Sequence, residues 1–310
     1  MIVTLTLNPS VDKTIFVSKL SPGQVYRVRE SDLDPAGKGI NVTRMADRLG
    51  CASIAFGFMA GEIGLLVERA LQEEGIQRHL LRVPGQTRLN VTIFDQSTAT
   101  GTSFYDRGPE IDQERLKTLE GELKPWIGAS RVFVMAGSLP PGVEDSVYAN
   151  FIDLARSLGT KTILDSDGES LRLGVQAGPY LIKPNLVEME RLVGRTLPDV
   201  PSVIDAAREV QARGVQAVIV SMGSDGAICA DGSSVWRAIP PKIESSSTVG
   251  SGDSMVAGLA VSIARGQDIL YGLKLGTAAG AATAMVQGTS LGTPADVYAL
   301  LPQVRVEQIA

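Results

Sequence analysis

The chain has 310 residues, the length of one large α/β domain or two ordinary ones, so a sizeable core can form without disulfide or metal support. Its single histidine, His79, and two cysteines, Cys51 and Cys229, exclude a zinc site of the usual His/Cys kind and HExxH chemistry. A net charge of −5 with both signs interspersed, and 5% aromatic residues, speak against a nucleic-acid surface.

The cysteines, one beside a glycine and one in an apolar run, read as buried thiols in a reducing compartment. No apolar run reaches membrane-spanning length and Met1–Leu7 lacks a charged leader, so a soluble cytoplasmic protein is expected, with neither membrane nor nucleic acid as partner. Glycine is in surplus: 33 residues, roughly 11% where about 7% is usual.

In chain order, Ile2–Leu7 reads as a buried strand, apolar on both faces. Thr14–Leu20 and Val25–Leu33 alternate with period two, the pattern of half-exposed antiparallel strands. Val42, Met45, Ala46 and Leu49 fall at i, i+3, i+4 and i+7, which predicts a helix stopped by Gly50. Ser53–Phe58 is the next buried strand and Gly64–Glu74 the next helix. Arg88–Asp95 and Thr102–Tyr105 again alternate, across a turn at Ser97–Gly101. Thereafter the strands Val132–Ala136, Thr162–Asp165, Tyr180–Lys183 and Ala217–Met222 intersperse with the helices Ser146–Leu158, Val203–Arg213 and Ile269–Met285. This order predicts a mostly parallel sheet with helices on both faces. The period-two stretches form a small β lid: residues 14–33 and 88–106 against a core of 1–13, 34–87 and 107–310. One face of the lid needs covering, by a ligand or by another subunit.

Four segments carry chemistry. In Thr248-Val249-Gly250-Ser251-Gly252-Asp253-Ser254, two glycines precede a small-residue helix, so backbone N–H groups can face an anion at the positive end of the helix dipole. Asp253 would repel that anion unless it removes a proton from an attacking hydroxyl; the plainer alternative is a helix N-cap. Pro35-Ala36-Gly37-Lys38-Gly39-Ile40-Asn41 reads as a flexible turn presenting a lysine and an amide beside a helix start, suited to a phosphorylated, polyhydroxylated ligand. In Lys183-Pro184-Asn185-Leu186-Val187-Glu188, Asn185 and Glu188 stand three apart, either to hold a water-rich Mg2+ or to cap the helix. Asp12, after the first strand in Asn8-Pro9-Ser10-Val11-Asp12, is a sugar-hydroxyl acceptor or an ordinary turn carboxylate. Most of these lie at predicted strand C-termini, where open α/β sheets place ligands.

The run Thr248–Ser254, together with Gly37-Lys38-Gly39-Ile40-Asn41, Gly137-Ser138-Leu139-Pro140-Pro141-Gly142 and Lys183-Pro184-Asn185 with Glu188, resembles the PfkB (ribokinase-like) carbohydrate kinases. It is most similar to their phosphofructokinase branch. The resemblance implies a ribokinase-like fold, ATP with Mg2+, and room for a monovalent cation such as K+. It implies phosphoryl transfer to a sugar hydroxyl with Asp253 as base and the Gly250, Ser251, Gly252 and Asp253 amides as anion hole. Asp12, Gly37, Lys38, Gly39, Asn41, Arg88, Asn90 and Ser138 match sugar-phosphate positions, with Arg27 or Arg107 assisting. Lys183, Asn185, Ser221, Gly223, Gly226, Thr248, Thr277 and Ala281 match the nucleotide site, and Asn185 with Glu188 the magnesium region. The lid matches one that often doubles as a homodimer clasp.

For the acceptor, Gln287–Leu291 and Asp165–Glu169 are similar to the minor-type 6-phosphofructokinases, whereas Gly37-Lys38-Gly39 is equally at home among 1-phosphofructokinases and tagatose-6-phosphate kinases. The expectation is fructose 6-phosphate, with those two as alternatives. A non-catalytic sensor of sugar phosphate or nucleotide would lack the base, and a kinase of uncharged acceptors would have no use for Lys38 and Arg88. Ala36 and Val25 depart from the family pattern, the latter where some 6-phosphofructokinases carry a regulatory lysine.

Overall fold

A computed structural model describes residues 1–28 and 30–310. In chain order the elements are β1 (Ile2–Thr6), β2 (Ser10–Val17), β3 (Ser31–Ala36), α1 (Lys38–Arg48), β4 (Ser53–Ala60), α2 (Gly61–Glu73), β5 (Arg78–Val83), β6 (Arg88–Asp95), β7 (Thr100–Phe104), α3 (Gln113–Ala129), β8 (Val132–Ala136) and α4 (Val147–Ser157). They continue with β9 (Lys161–Asp165), α5 (Gly168–Gln176), β10 (Leu181–Ile182), α6 (Leu186–Val193), α7 (Val200–Gln211), β11 (Ala217–Ser221), β12 (Ala227–Asp231), β13 (Ser234–Ile239), α8 (Ser251–Ala264), α9 (Ile269–Ala284), α10 (Pro294–Leu300) and β14 (Arg305–Gln308).

Ten strands form the main sheet in the order β14-β13-β12-β11-β10-β9-β8-β1-β4-β5. The run from β11 to β5 is parallel, and β12, β13 and β14 add an antiparallel margin. Strand alternation splits the core into two layers: Val3, Leu5, Phe133 and Met135 pack toward α3 and α4, while Ile2, Val132 and Val134 pack toward α1, α8 and α9. Continuous apolar strands follow from having both faces covered. Cys51 and Cys229 are free and buried, the Cys229 thiol pushed up to about 12 by burial, as inert structural thiols should be. Among the described residues no helix is long and apolar enough to cross a membrane.

The small sheet has the order β3-β2-β6-β7. Its outer pairs are antiparallel, but β2 and β6 run parallel, Asp12 opposite Asn90. It also begins earlier than the alternation suggested, at Ser10, and its second strand runs to Ala36. The predicted Val25–Leu33 strand includes residue 29, which lies outside the described residues; the observed pairing starts at Ser31. Asp12 is therefore a strand residue and not a turn carboxylate.

Candidate active site

The parallel strands β1, β8, β9, β10 and β11 end at one edge of the sheet, and the segments that follow them converge there, the edge at which open α/β sheets bind ligands. Helices α1 and α8 both start on a glycine without a side-chain cap, Gly37 and Gly250, so their first-turn N–H groups have no side-chain acceptor. Gly250 adopts φ 75°, a left-handed conformation natural to glycine. It turns the chain so that Ser251–Asp253 form the first turn of α8.

Asp253, 8% exposed, accepts a hydrogen bond from Asn41 Nδ2 at 2.8 Å. Burial, then the charge of Asp165, push its pKa up to about 6, while Lys38, Asn41 and Lys183 act the other way. Asp165, the last residue of β9, lies between two lysines: Lys38 Nζ is 3.1 Å from Oδ1 and Lys183 Nζ 3.8 Å from Oδ2. Burial would raise this carboxyl, but Lys183 and Lys38 hold it below the ordinary carboxylate range. Lys38 also reaches Glu188 Oε1 at 3.5 Å. Burial works against its charge, yet Asp165, Glu188 and Asp253 together raise its pKa. Lys183 is only 3% exposed and lies against the α8 start: a Cβ at Gly252 would sit 3.4 Å from its Nζ. Paired lysines beside a desolvated carboxylate make a site for anionic groups with a proton acceptor at its centre.

A second cluster lies on the inner face of the small sheet. Asp12 accepts hydrogen bonds from Ser10 Oγ at 2.9 Å and Asn90 Nδ2 at 2.8 Å, and burial raises its pKa against those bonds. Arg88 donates Nε–H to the Asn8 carbonyl at 3.1 Å; its terminal nitrogens make no hydrogen bond among the described residues. Burial lowers the Arg88 pKa, with Asp12 opposing it most. The clusters meet at Gly137, whose N–H donates to the Asp165 carbonyl at 3.0 Å and whose carbonyl accepts from Tyr148 Oη at 3.0 Å. Ser138, the next residue, is exposed.

At the C-terminal end of β11, Asn185 and Ser221 form a β-bridge beside the exposed turn at Gly223. Thr277 and Ala281 lie one turn apart on α9, and Thr277 Oγ1 and Ser251 Oγ are buried without a partner among the described residues. Thr248, exposed, accepts from Ser251 N–H at 3.4 Å.

One sequence reading is corrected, and the cap alternative for Asn185 and Glu188 is the one observed. Lys38, Gly39 and Asn41 belong to the first helical turn of α1, not to a flexible turn ahead of it. At Gly37, Gly39 and Gly226 an added Cβ would lie 2.8 Å from Thr6 Cγ2, 2.5 Å from Thr6 Oγ1 and 1.9 Å from the Ala238 carbonyl, respectively. Glycine there permits close packing of α1 on β1 and of the β11–β12 turn on β13. Asn185 and Glu188 form a reciprocal capping box, Asn185 Oδ1 accepting from Glu188 N–H and Glu188 Oε2 from Asn185 N–H, each at 2.8 Å. The other carboxylate oxygen, Oε1, makes no hydrogen bond among the described residues and remains beside Lys38 Nζ at 3.5 Å.

That remainder bears on magnesium. Among the described residues no group of three or more Asp, Glu, His or Cys is placed to hold a metal ion. The donor set, Glu188 Oε1 beside the exposed Asn185, fits a Mg2+ that keeps most of its water and takes its other ligands from phosphates.

Asp165 and Asn8 are the residues that sequence reasoning left without a role. The position of Asp165, an acid ending a buried strand, was the available signal.

The pfkB family carbohydrate kinase model matches residues 5–296. A 1-phosphofructokinase of Borreliella burgdorferi is 36% identical over 100% of this chain and 99% of its own length, and one of Bacillus subtilis 33% identical over 100% of both. The structure of phosphofructokinase-2 from Escherichia coli in complex with potassium superposes with a TM-score of 0.90 at 30% identity, covering 97% of this chain and 98% of that one. The chain belongs to the pfkB family of carbohydrate kinases.

Proposed function

We propose that the protein transfers the γ-phosphoryl group of ATP to a hydroxyl of a ketohexose phosphate, with fructose 1-phosphate as acceptor and fructose 1,6-bisphosphate as product. The observation that carries the reading is Asp253: a buried carboxylate at the start of α8, held by Asn41 and flanked by Lys38 and Lys183. In this reading Asp253 takes the proton of the acceptor hydroxyl as its oxygen bonds to the γ-phosphorus and the bond to the β-phosphate oxygen breaks. The Gly250–Asp253 amides face the negative charge that develops, and Lys183, beside the same turn, helps neutralise it. Glu188 and Asn185 would hold magnesium, which would add charge neutralisation on the phosphates. Ser221, Gly223, Gly226, Thr248, Thr277 and Ala281 line the nucleotide side. Support for a potassium requirement is confined to the Escherichia coli complex.

Asp12, Asn90, Ser138, Lys38 and Arg88 receive the sugar phosphate. Fructose 1-phosphate replaces the fructose 6-phosphate expected from sequence because full-length relatives bear the name 1-phosphofructokinase and Lys38 suits that group equally. A coupled assay of ADP release with fructose 1-phosphate, fructose 6-phosphate and tagatose 6-phosphate, with the product's phosphate positions read by NMR, tests this. The highest kcat/KM is expected for fructose 1-phosphate. Turnover of none of the three overturns the kinase reading, and a clear preference for another overturns the acceptor.

We also propose a homodimer built on the small sheet. Residues directly opposite across its strands share a face, and the row Leu33, Lys13, Val91, Phe104, continued by Ile15 and Ile93, lies opposite the Asp12/Asn90 face. Leu33 and Phe104 are 53% and 59% exposed.

A further inference from the structure

Asn8 lies between β1 and β2, where the chain first passes from the main sheet into the small one, and it is 4% exposed. Its side-chain amide donates to two carbonyls from distant parts of the chain: Arg107, where the chain returns from β7 to the core, at 3.1 Å, and Leu139, one residue past Ser138, at 3.5 Å. Its own backbone carbonyl accepts from Arg88 Nε. One residue therefore binds the departing strand, the returning strand, the loop after β8 and the half-buried arginine of the acceptor cluster. The chemistry selects asparagine. Two carbonyls require two N–H donors on one atom, which an aspartate lacks. Asn8 Oδ1 has no hydrogen-bond partner among the described residues and packs against Gly108, where an added Cβ would sit 2.3 Å away and where φ is +83°.

We propose that Asn8 is a positioning residue for recognition of the acceptor's phosphate: it fixes Arg88, Arg107 and the Ser138 loop relative to one another so that their donors converge on one dianionic group. The proposal rests on the reading of the acceptor as a sugar phosphate. Arg88 spends Nε on Asn8 and keeps its two terminal nitrogens for the ligand, the fork that a phosphate matches. Losing the Asn8 amide frees the Arg107 crossing, and a misplacement of about 1 Å can lower rate or affinity by about 100-fold.

The test is steady-state kinetics of the full chain with fructose 1-phosphate and, separately, unphosphorylated fructose, for wild type, Asn8→Ala, Arg88→Ala and the double variant. Asn8→Ala should raise KM for fructose 1-phosphate by about tenfold or more and leave KM for ATP within about twofold. Its kcat/KM for fructose should be unchanged, so selectivity for the phosphorylated sugar collapses. Because Asn8 acts through Arg88, the double variant should have a KM close to that of Arg88→Ala alone. Gly108→Ala, which presses on Asn8 Oδ1 from the returning strand, should reproduce the signature independently. Equal losses with both acceptors, a parallel rise in KM for ATP, or additive effects in the double variant would overturn the proposal. Wild type inactive on all three sugar phosphates would overturn the acceptor reading instead, a distinct outcome.

Discussion

A base that works at neutral pH must be deprotonated there and still hold a proton well enough to accept one, and Asp253 with its pKa near 6 meets both conditions. The kcat/KM profile should fall about tenfold per pH unit below about pH 6, the free-enzyme limb that such a base imposes. Asp253→Asn should lower kcat by about 100- to 10,000-fold with ATP binding by calorimetry preserved; a variant keeping a tenth of wild-type kcat would reject the assignment. The same carboxylate strains the fold. Its folded pKa of about 6 exceeds the ordinary 3.8, so the ionised form is disfavoured in the native state, fully above pH 6 and progressively less as pH falls toward 3.8. Asp253→Asn should therefore be more stable than wild type at pH 7.5, by on the order of 1–3 kcal/mol, and the difference in thermal midpoint should shrink at pH 5. Asp165→Asn removes a negative neighbour of Asp253 and loosens two lysines, which should move the acid limb of kcat/KM to lower pH while lowering kcat. Asp253 was legible in the sequence because the glycines that present it are adjacent. Asp165 was not, because its meaning comes from Lys38, 127 residues away in the chain.

Elements position these residues through close backbone approach. Helices α8 and α9 meet along glycines: a Cβ at Gly258 would lie 2.5 Å from Gly276 N, and one at Gly276 2.6 Å from the Met255 carbonyl. That contact sets Ser254, on α8, against Thr283, on α9, their hydroxyls 2.7 Å apart, one residue from Asp253. Gly276→Ala should wedge the helices apart, lowering stability by about 1–3 kcal/mol in urea titrations and raising KM for ATP. Gly223→Ala is the control, since its Cβ meets open space and only the left-handed φ of 59° opposes it; equal effects on stability would refute the packing argument. Sequence periodicity located the buried strands of the parallel sheet and several helices, but it missed α3, the longest helix at 17 residues, which carries Gly121, Pro125 and Gly128 and buries only Leu119, Leu123 and Ile127. It started α1 at Val42 and not at Lys38, because the first turn carries glycine, lysine and asparagine, residues that do not extend an apolar stripe. It also left out the edge strands β5 and β14, which carry charged residues along the margins of the sheet, the half-buried β13, and the buried β12, a short apolar run that periodicity alone does not assign.

At the scale of the whole molecule, the two faces of the small sheet differ in what they present. Its inner face carries Asp12 and Asn90 over the crevice, and β3 is tied to the loop before α10 by the hydrogen bond from Thr289 Oγ1 to Asp34. Its outer face leaves Leu33 and Phe104 largely uncovered, with all of β7 exposed. The alternation that revealed this sheet in the sequence also required a cover for one face, but not which face took the ligand; that depends on the register placing Asp12 opposite Asn90. If a second copy covers the outer row, the same sheet is both substrate wall and interface, and losing one must weaken the other. Wild type should sediment as a dimer at micromolar concentration, and Leu33→Asp with Phe104→Asp as a monomer, since like charges placed on a shared apolar face oppose burial. The monomer should show a raised KM for the sugar phosphate with little change for ATP, because the sheet that carries Asp12 and Asn90 loses its backing while α8 and α9 keep theirs. A wild-type protein that sediments as a monomer, or a monomeric variant with an unaltered acceptor KM, would separate assembly from catalysis and leave the outer row without its partner.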